Sequence, residues 1–170
     1  APDHATALLE EAIGCQLRIH KSAPSQLKAS SEIANTYNTL GAAKLSGNSV
    51  SEAIDAFSHA IELHRKMHEI APSVNSYQID LATSLNNIAS ARFRQGQYTP
   101  AIRAAHEAIN LQMTCLKRGP KDPASFKRLA VMHSNLAAAL AELDRIADAV
   151  HAYQHAIAYQ NQLLETNPMD

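Results

Sequence analysis

The sequence predicts an all-α fold built from antiparallel helix pairs, and three observations support this prediction. The 170 residues repeat with a period of 48, apolar side chains within each period follow helical spacing, and turn-forming residues recur between the predicted helices. Four prolines mark the period at intervals of 48 residues: Pro24, Pro72, Pro120 and Pro168. Because no insertion or deletion breaks the register, we expect three full units after a leading half unit.

The period also predicts how the chain is organised. A chain of 170 residues with 46% hydrophobic content is of the size expected for one domain with one core. We therefore expect a single domain over residues 1–170 that opens with a half unit at 1–27, consisting of a second helix only. Full units of two helices follow at 28–75, 76–123 and 124–170.

The leading half unit predicts one helix over residues 3–21. Ala5, Ala12 and Ile13 recur at steps of 48 in every later unit. Small residues at fixed phases let helix axes approach closely, as expected for stacked helices. The same phases mark the second helix of each full unit, which we place at 51–70, 99–117 and 147–166.

The first helix of each full unit carries apolar residues at i, i+4, i+7 and i+8, which is one face of a 3.6-residue helix. Ile33, Leu40 and Gly41 belong to this stripe in the first unit, and its later copies begin at Leu81 and Leu129. The stripe predicts first helices at 28–46, 76–95 and 124–143.

The turn between the two helices of each unit carries Asn48, Gly96 or Asp144 at one phase. These residue types tolerate the left-handed backbone conformation found at helix C-termini. Helix starts are predicted by a capping box and by proline at the first helical position. The segments with these patterns are Ser49-Val50-Ser51-Glu52, Thr99-Pro100 and Asp122-Pro123.

Leu40-Gly41, followed by Ala53, Phe57 and Ala60, resembles the tetratricopeptide repeat. The present units are longer than the usual ~34 residues, and in this respect they look like those of kinesin light chains and of arrays attached to bacterial serine/threonine kinases. The resemblance implies an α-solenoid of about seven helices, wound as a right-handed superhelix whose first helices line the concave face. It leaves the partner open, because one fold serves many functions.

The resemblance places small and polar residues along this concave face. Asn offers one acceptor and two donors, which match the C=O and N–H of a peptide unit. Asn87 and Asn135 share one phase, and Asn38 and Asn86 share another. This is similar to the asparagine ladders of peptide-binding arrays; alternatively, the asparagines solvate an exposed face or bond a neighbouring turn. The predicted peptide-binding residues are Asn35, Asn38, Thr39, Thr83, Asn86, Asn87, Ser90, Arg94, Ser134 and Asn135.

Charge and composition exclude several classes of partner. With 15 Lys and Arg against 16 Asp and Glu, the net charge of −1 argues against nucleic acid. No apolar run approaches the ~18 residues that would span a bilayer. Cys15 and Cys115 form no metal-type spacing, and a reducing, cytoplasmic location is expected. Val131 and Asn135 stand where the resemblance would require cations for a clamp on a C-terminal carboxylate, so that type of partner is also not expected.

Nine histidines raise the question of a metal site. His64 and His68 are spaced i, i+4, as are His151 and His155, so each pair shares a helix face. A zinc site needs three or four ligands, and no cysteine or carboxylate recurs with either pair. We therefore expect no metal and no cofactor. We also expect no enzyme, since the sequence contains no phosphate loop and no nucleophile elbow.

These observations favour a non-catalytic interaction module that binds an extended peptide in its concave groove, as part of a larger scaffold or regulatory protein. The alternative is a structural array that self-associates through open terminal helices. By repeat logic, Leu8, Leu9 and Ile13 have lost the first helix that would precede them, and Val150 and Ile157 have no following helix to cover them.

Overall fold

The computed structural model describes residues 2–22, 27–119 and 122–166, and these residues form seven helices joined by short turns. Each helix packs against the next along the chain, and α4 also contacts α2 and α6. The helices are α1 (Pro2–Ser22), α2 (Leu27–Ser46), α3 (Val50–Ile70), α4 (Asn75–Arg94), α5 (Tyr98–Arg118), α6 (Pro123–Ala141) and α7 (Ile146–Thr166).

The all-α solenoid predicted from the sequence is confirmed. No observed helix end differs from its predicted position by more than two residues. This agreement follows from the unbroken period, because each helix is fixed by three or four copies of the same pattern. Of the four marker prolines, Pro72 follows the end of α3, whereas Pro24, Pro120 and Pro168 lie outside the described residues.

The turn within each unit has the predicted left-handed residue. Asn48, Gly96 and Asp144 have φ angles of 65°, 76° and 54°. In each case the next residue donates its backbone N–H five residues back, to a carbonyl near the end of the first helix. This is the hydrogen bond of a Schellman motif, so one backbone device reverses the chain three times. The donor and acceptor pairs are Ser49–Lys44, Gln97–Arg92 and Arg145–Leu140.

Of the three predicted N-terminal caps, one is confirmed and two are wrong. Asp122 accepts a hydrogen bond from the backbone N–H of Ser125, with Pro123 at the first helical position. Ser49 precedes α3 but makes no side-chain cap, because its ψ of 65° lies outside the extended range that N-cap residues adopt. Thr99 lies inside α5, which begins at Tyr98. The left-handed turns start α3 and α5 without side-chain caps.

The core is built from small residues at helix crossings and larger ones between them. Gly41 in α2 lies against the ring of Phe57 in α3, where an added Cβ would be 2.5 Å from ring atom Cε1. The next unit fills the same two phases with Ala89 and Ala105, which are both buried. The large–small pair of one unit is thus replaced by two small residues in the next.

None of the described helices is long and apolar enough to cross a membrane.

Candidate binding surfaces

The first helices α2, α4 and α6 form one side of the array, called the first-helix face below. All ten predicted peptide-binding residues lie on these helices, and each keeps part of its surface accessible. Asn35, Thr39 and Arg94 are exposed, and the other seven are half-buried. The structure therefore brings the predicted residues onto one face, where their hydrogen bonds divide them into two groups.

Four of the asparagine and serine side chains are bonded between helices or within the core. The Asn38 amide donates to Ser84 Oγ at 2.7 Å, which ties α2 to α4. The Asn135 amide donates to Asn86 Oδ1 at 2.9 Å, which ties α6 to α4. Three of the predicted asparagines therefore bond a neighbouring helix, as the alternative interpretation of the asparagine pattern expected. They are Asn38, Asn86 and Asn135.

Further predicted residues bond to the backbone. The hydroxyls of Thr39 and Thr83 donate to carbonyls one turn back in their own helices. Arg94 donates from Nη1 to the Leu45 carbonyl at 2.7 Å and from Nη2 to Asn48 Oδ1 at 3.2 Å. Its charge thus lies at the C-terminal end of α2, where a cation is favourable.

The remaining predicted residues are free to bind a ligand. The side chains of Asn35, Asn87, Ser90 and Ser134 have no hydrogen bond within the part of the chain that the structure describes. Asn87 and Ser90 lie in the middle of α4, flanked by helices on both sides. These four side chains offer unsatisfied donors and acceptors along the first-helix face.

Two clefts open between α4 and α6, with volumes of about 170 and 260 Å³. Predicted residues line both of them, with Thr83 and Asn86 in the smaller cleft and Ser90, Arg94 and Asn135 in the larger one. Sequence reasoning missed the other polar and aromatic contributors. These are Phe93 in the larger cleft, and Lys127 and Arg128 in the smaller.

A buried polar network lies behind the first-helix face. His64 in α3 is wholly buried, and its Nδ1 is 2.9 Å from Ser84 Oγ. The Ser84 hydroxyl has one proton, which it donates to the Asp80 carbonyl, while it accepts from Asn38. In this arrangement of the Ser84 hydroxyl, His64 donates from Nδ1, which corresponds to the Nδ1–H tautomer.

The same network has consequences for charge and for catalysis. Burial lowers the pKa of His64 to about 4, because the interior disfavours the imidazolium form. Although Ser84 and His64 are in contact, both are fully buried, so the hydroxyl cannot reach a substrate. The contact is structural, and it spans α3 and α4, which is why periodicity within one helix did not reveal it.

Three further histidines, His133, His151 and His155, lie in the last unit. The ring of His133 in α6 lies beside that of His155 in α7, with centroids 5.1 Å apart and an interplanar angle of 32°. Burial, with smaller contributions from His155 and His106, lowers the pKa of His133 to about 4. Among the described residues, no group of three or more His, Cys, Asp or Glu side chains is placed to hold a metal ion.

The outer side of α7 is a second candidate surface. Ile146, Val150, Tyr153, Ile157 and Leu164 are all exposed large hydrophobic residues. No described helix lies over Val150 or Ile157, as the repeat logic predicts.

In the leading helix α1, one of the three residues expected to lack a covering helix is buried. Leu8 is exposed and Leu9 is half-buried, but Ile13 is buried. Ile13 faces α2 and α3, where it packs with Leu40 and Ala56, instead of facing the side that lacks a preceding helix. The prediction that Ile13 lost its cover is therefore wrong.

Comparisons with known proteins agree with this geometry. A family model described as tetratricopeptide repeat matches residues 81–112 and 129–168. The chain is similar to a solved structure titled "Crystal structure of MamA", with a TM-score of 0.54 and 14% sequence identity. That match covers 95% of this chain and 94% of the other. At this identity the match supports the fold alone. No curated protein matches the chain.

Proposed function

We propose that the chain, of which residues 81–112 and 129–168 match a tetratricopeptide-repeat model, binds an extended segment of a partner protein along the first-helix face. We place this activity within a larger scaffold or regulatory protein in the cytoplasm. Proteins of this repeat family are generally non-catalytic, and the proposal assigns no catalytic step to the chain.

One observation carries the proposal. Unbonded polar side chains and clefts lie along the first-helix face: Asn35, Asn87, Ser90 and Ser134 make no side-chain hydrogen bond to any described residue, and clefts open on either side of the Asn86–Asn135 bond. An extended peptide offers a C=O and an N–H at each residue, so free amides satisfy its backbone while clefts accept alternate side chains. The bonded asparagines hold α2, α4 and α6 at the spacing that such a ligand would span.

Asn87 gives the sharpest test. Random displayed peptides are selected for binding to the protein, and the best one is labelled for fluorescence anisotropy. Asn87→Ala removes amide groups that form no hydrogen bond with any residue that the structure describes, so melting should be nearly unchanged. Peptide affinity should fall at least about fivefold, because bound peptide groups are left unpaired. Asn135→Ala is less clean, since it also breaks the bond to Asn86.

Asn110→Ala serves as the matched control, because Asn110 is an exposed asparagine on the second helix α5. Its affinity for the selected peptide should equal that of the wild type. Equal affinity of the Asn87→Ala protein, or equal losses in both variants, would refute binding along the first-helix face.

A second candidate function rests on the exposed apolar side of α7. In this reading the array self-associates, and Val150 and Ile157 pack against another copy of the chain. Light scattering over a range of concentrations tests it: a dimer that Ile157→Glu converts to monomer supports self-association, whereas a monomer at all concentrations excludes it.

A further inference from the structure

The side of the array opposite the first-helix face has a cleft of about 360 Å³ between α3 and α5, with α4 beneath it. Ile61, Leu85 and Ile88 supply an apolar floor. Arginines surround this floor, and we call the site the arginine cleft. It shares no residue with the two clefts of the first-helix face.

Three guanidinium groups line the arginine cleft, one from each of the three helices. Arg65 in α3 donates to Glu107 Oε1 in α5 at 2.8 Å. Arg92 in α4 and Arg103 in α5 have no side-chain ion pair or hydrogen bond to any residue that the structure describes. Two unpaired positive charges therefore border one apolar floor.

The preceding unit has the same cleft position but a different charge. Lys44 stands at the phase of Arg92, where it is held by Glu10 at 2.9 Å and by Glu52 at 2.7 Å. Asp55 stands at the phase of Arg103. The cation there is already satisfied, and the opposing residue is acidic.

The following unit also lacks the two arginines. Leu140 and His151 occupy their phases in a cleft of about 290 Å³ between α5 and α7. His133 and His155 replace the apolar Leu85 and the acidic Glu107. Unpaired arginines thus occur at this position only in the middle unit among the described residues.

We propose that the arginine cleft binds an acidic peptide segment. One carboxylate of the segment pairs with Arg92 and Arg103, and an adjacent apolar side chain packs on Ile61 and Ile88. Arginine suits this role because its planar fork of donors matches a carboxylate. The apolar floor favours a ligand with both characters over an isolated ion. A nucleic-acid backbone fits less well, because it needs cations over successive phosphates, and the neighbouring clefts supply none in excess.

Glu107 is expected to limit the strength of this site. Its carboxylate holds Arg65, the third guanidinium of the cleft, and its negative charge opposes an incoming anion. Glu107→Gln should therefore release Arg65 and tighten acidic-peptide binding, while loss of Arg92 and Arg103 should weaken it. Net charge alone would give these two signs as well, so a variant that loses two positive charges elsewhere on the protein is needed as the control.

The test uses a fluorescein-labelled hexapeptide of alternating Leu and Glu, with a Gln-for-Glu peptide as the uncharged probe. In fluorescence anisotropy at low salt, the wild type should bind the acidic probe with a dissociation constant of about 1 mM or tighter. The Arg92→Gln/Arg103→Gln protein should bind it about tenfold or more weakly, and Glu107→Gln should bind it more tightly. The uncharged probe should not bind.

Lys117→Gln/Arg118→Gln is the matched control, because it removes two exposed positive charges near the far end of α5. Arg103 and Arg118 lie about 22 Å apart along the helix at the usual rise per residue. The control and Asn87→Ala should both bind the acidic probe like the wild type. The proposal is overturned if the probe does not bind, if the control loses as much affinity as the cleft variant, or if a single-stranded oligonucleotide binds through Arg92 more tightly than the peptide.

Discussion

The second helices α5 and α7 have the same sequence pattern but different surroundings. Ile102 and Ile109 in α5 are each 7% exposed, whereas Val150 and Ile157, at the same phases of α7, are 49% and 55% exposed. The difference arises because α6 and α7 follow α5, and no described helix follows α7. The burial of an apolar residue in this array is therefore decided by whether further helices pack over it, and not by the sequence of its own helix.

The largest expected effect tests this comparison directly. Ile109→Ala should lower the free energy of unfolding by about 2–5 kcal/mol, because it removes buried side-chain atoms and leaves a cavity. Ile157→Ala removes the same atoms from an exposed position and should change it by less than about 0.5 kcal/mol. Urea unfolding at low protein concentration measures both.

A cost for Ile157→Ala as large as that for Ile109→Ala would contradict the contrast between α5 and α7. It would mean that another segment or another copy covers α7 in solution.

The second prediction concerns the pH dependence of the unfolding free energy. It compares a buried histidine of the interior with an exposed histidine of the last unit. His64 is fully buried, with a folded-state pKa of about 4 against an ordinary value of 6.5. The folded state then binds fewer protons than the unfolded chain below pH 6.5. His64 thus contributes stability above pH 6.5 that is lost as the pH falls toward 4, by about 2–3 kcal/mol in total.

His64→Gln isolates this contribution, because Gln occupies the same phase at Gln16, Gln112 and Gln160. The drop in unfolding free energy between pH 7 and pH 4.5 should be smaller in His64→Gln than in the wild type. His133 also has a lowered pKa, but it is present in both proteins and cancels. The matched variant His151→Gln makes the same substitution at an exposed histidine and controls for the change of residue itself. Parallel profiles for His64→Gln and wild type would contradict the assigned role of His64.

The smallest expected effect compares two helical glycines. Gly41→Ala places a Cβ 2.5 Å from the ring of buried Phe57, so it should destabilise by about 1–2 kcal/mol. Gly14→Ala in the leading helix α1 meets no atom within 4 Å and should stabilise by about 0.5–1 kcal/mol. Thermal melts of the two variants should therefore shift in opposite directions, and Phe57→Leu should relieve the Gly41→Ala effect. Equal shifts in the same direction would be inconsistent with the packing of α2 on α3.

Most of the fold could be predicted from the sequence because its information is local and repeated. The position of Ile33 in the repeat predicts a buried helix face, and that of Gly96 predicts a turn. Equivalent residues in the other units support both predictions. The capping box at Ser49 failed for the opposite reason. Its pattern is local, but the backbone angle that a cap requires is set by the left-handed residue before it.

The candidate sites were less predictable, because contacts between units decide them. Asn38 and Asn87 look alike in sequence, yet Asn38 bonds Ser84 and Asn87 has no side-chain partner among the described residues. The arginine cleft combines side chains from three helices, and its charge depends on whether Glu107 reaches Arg65. The repeat pattern shows which positions face a neighbouring unit, but not which of their side chains form hydrogen bonds or ion pairs.

The buried polar contacts have a further consequence for how the helices are held lengthwise. Surfaces rich in alanine are smooth, and helices packed through them resist sliding only weakly. Ser84 touches partners in both α2 and α3, so a slide of α4 by one turn, about 5.4 Å, would leave buried donors unpaired. One unit later, Gln112 ties α5 to α6, because its amide donates to Ser125 Oγ and its Oε1 accepts from Arg128 Nε. His64 and Gln112 occupy the same position in successive units. Hydrogen bonds from this one position therefore fix how far each helix can slide along its neighbours.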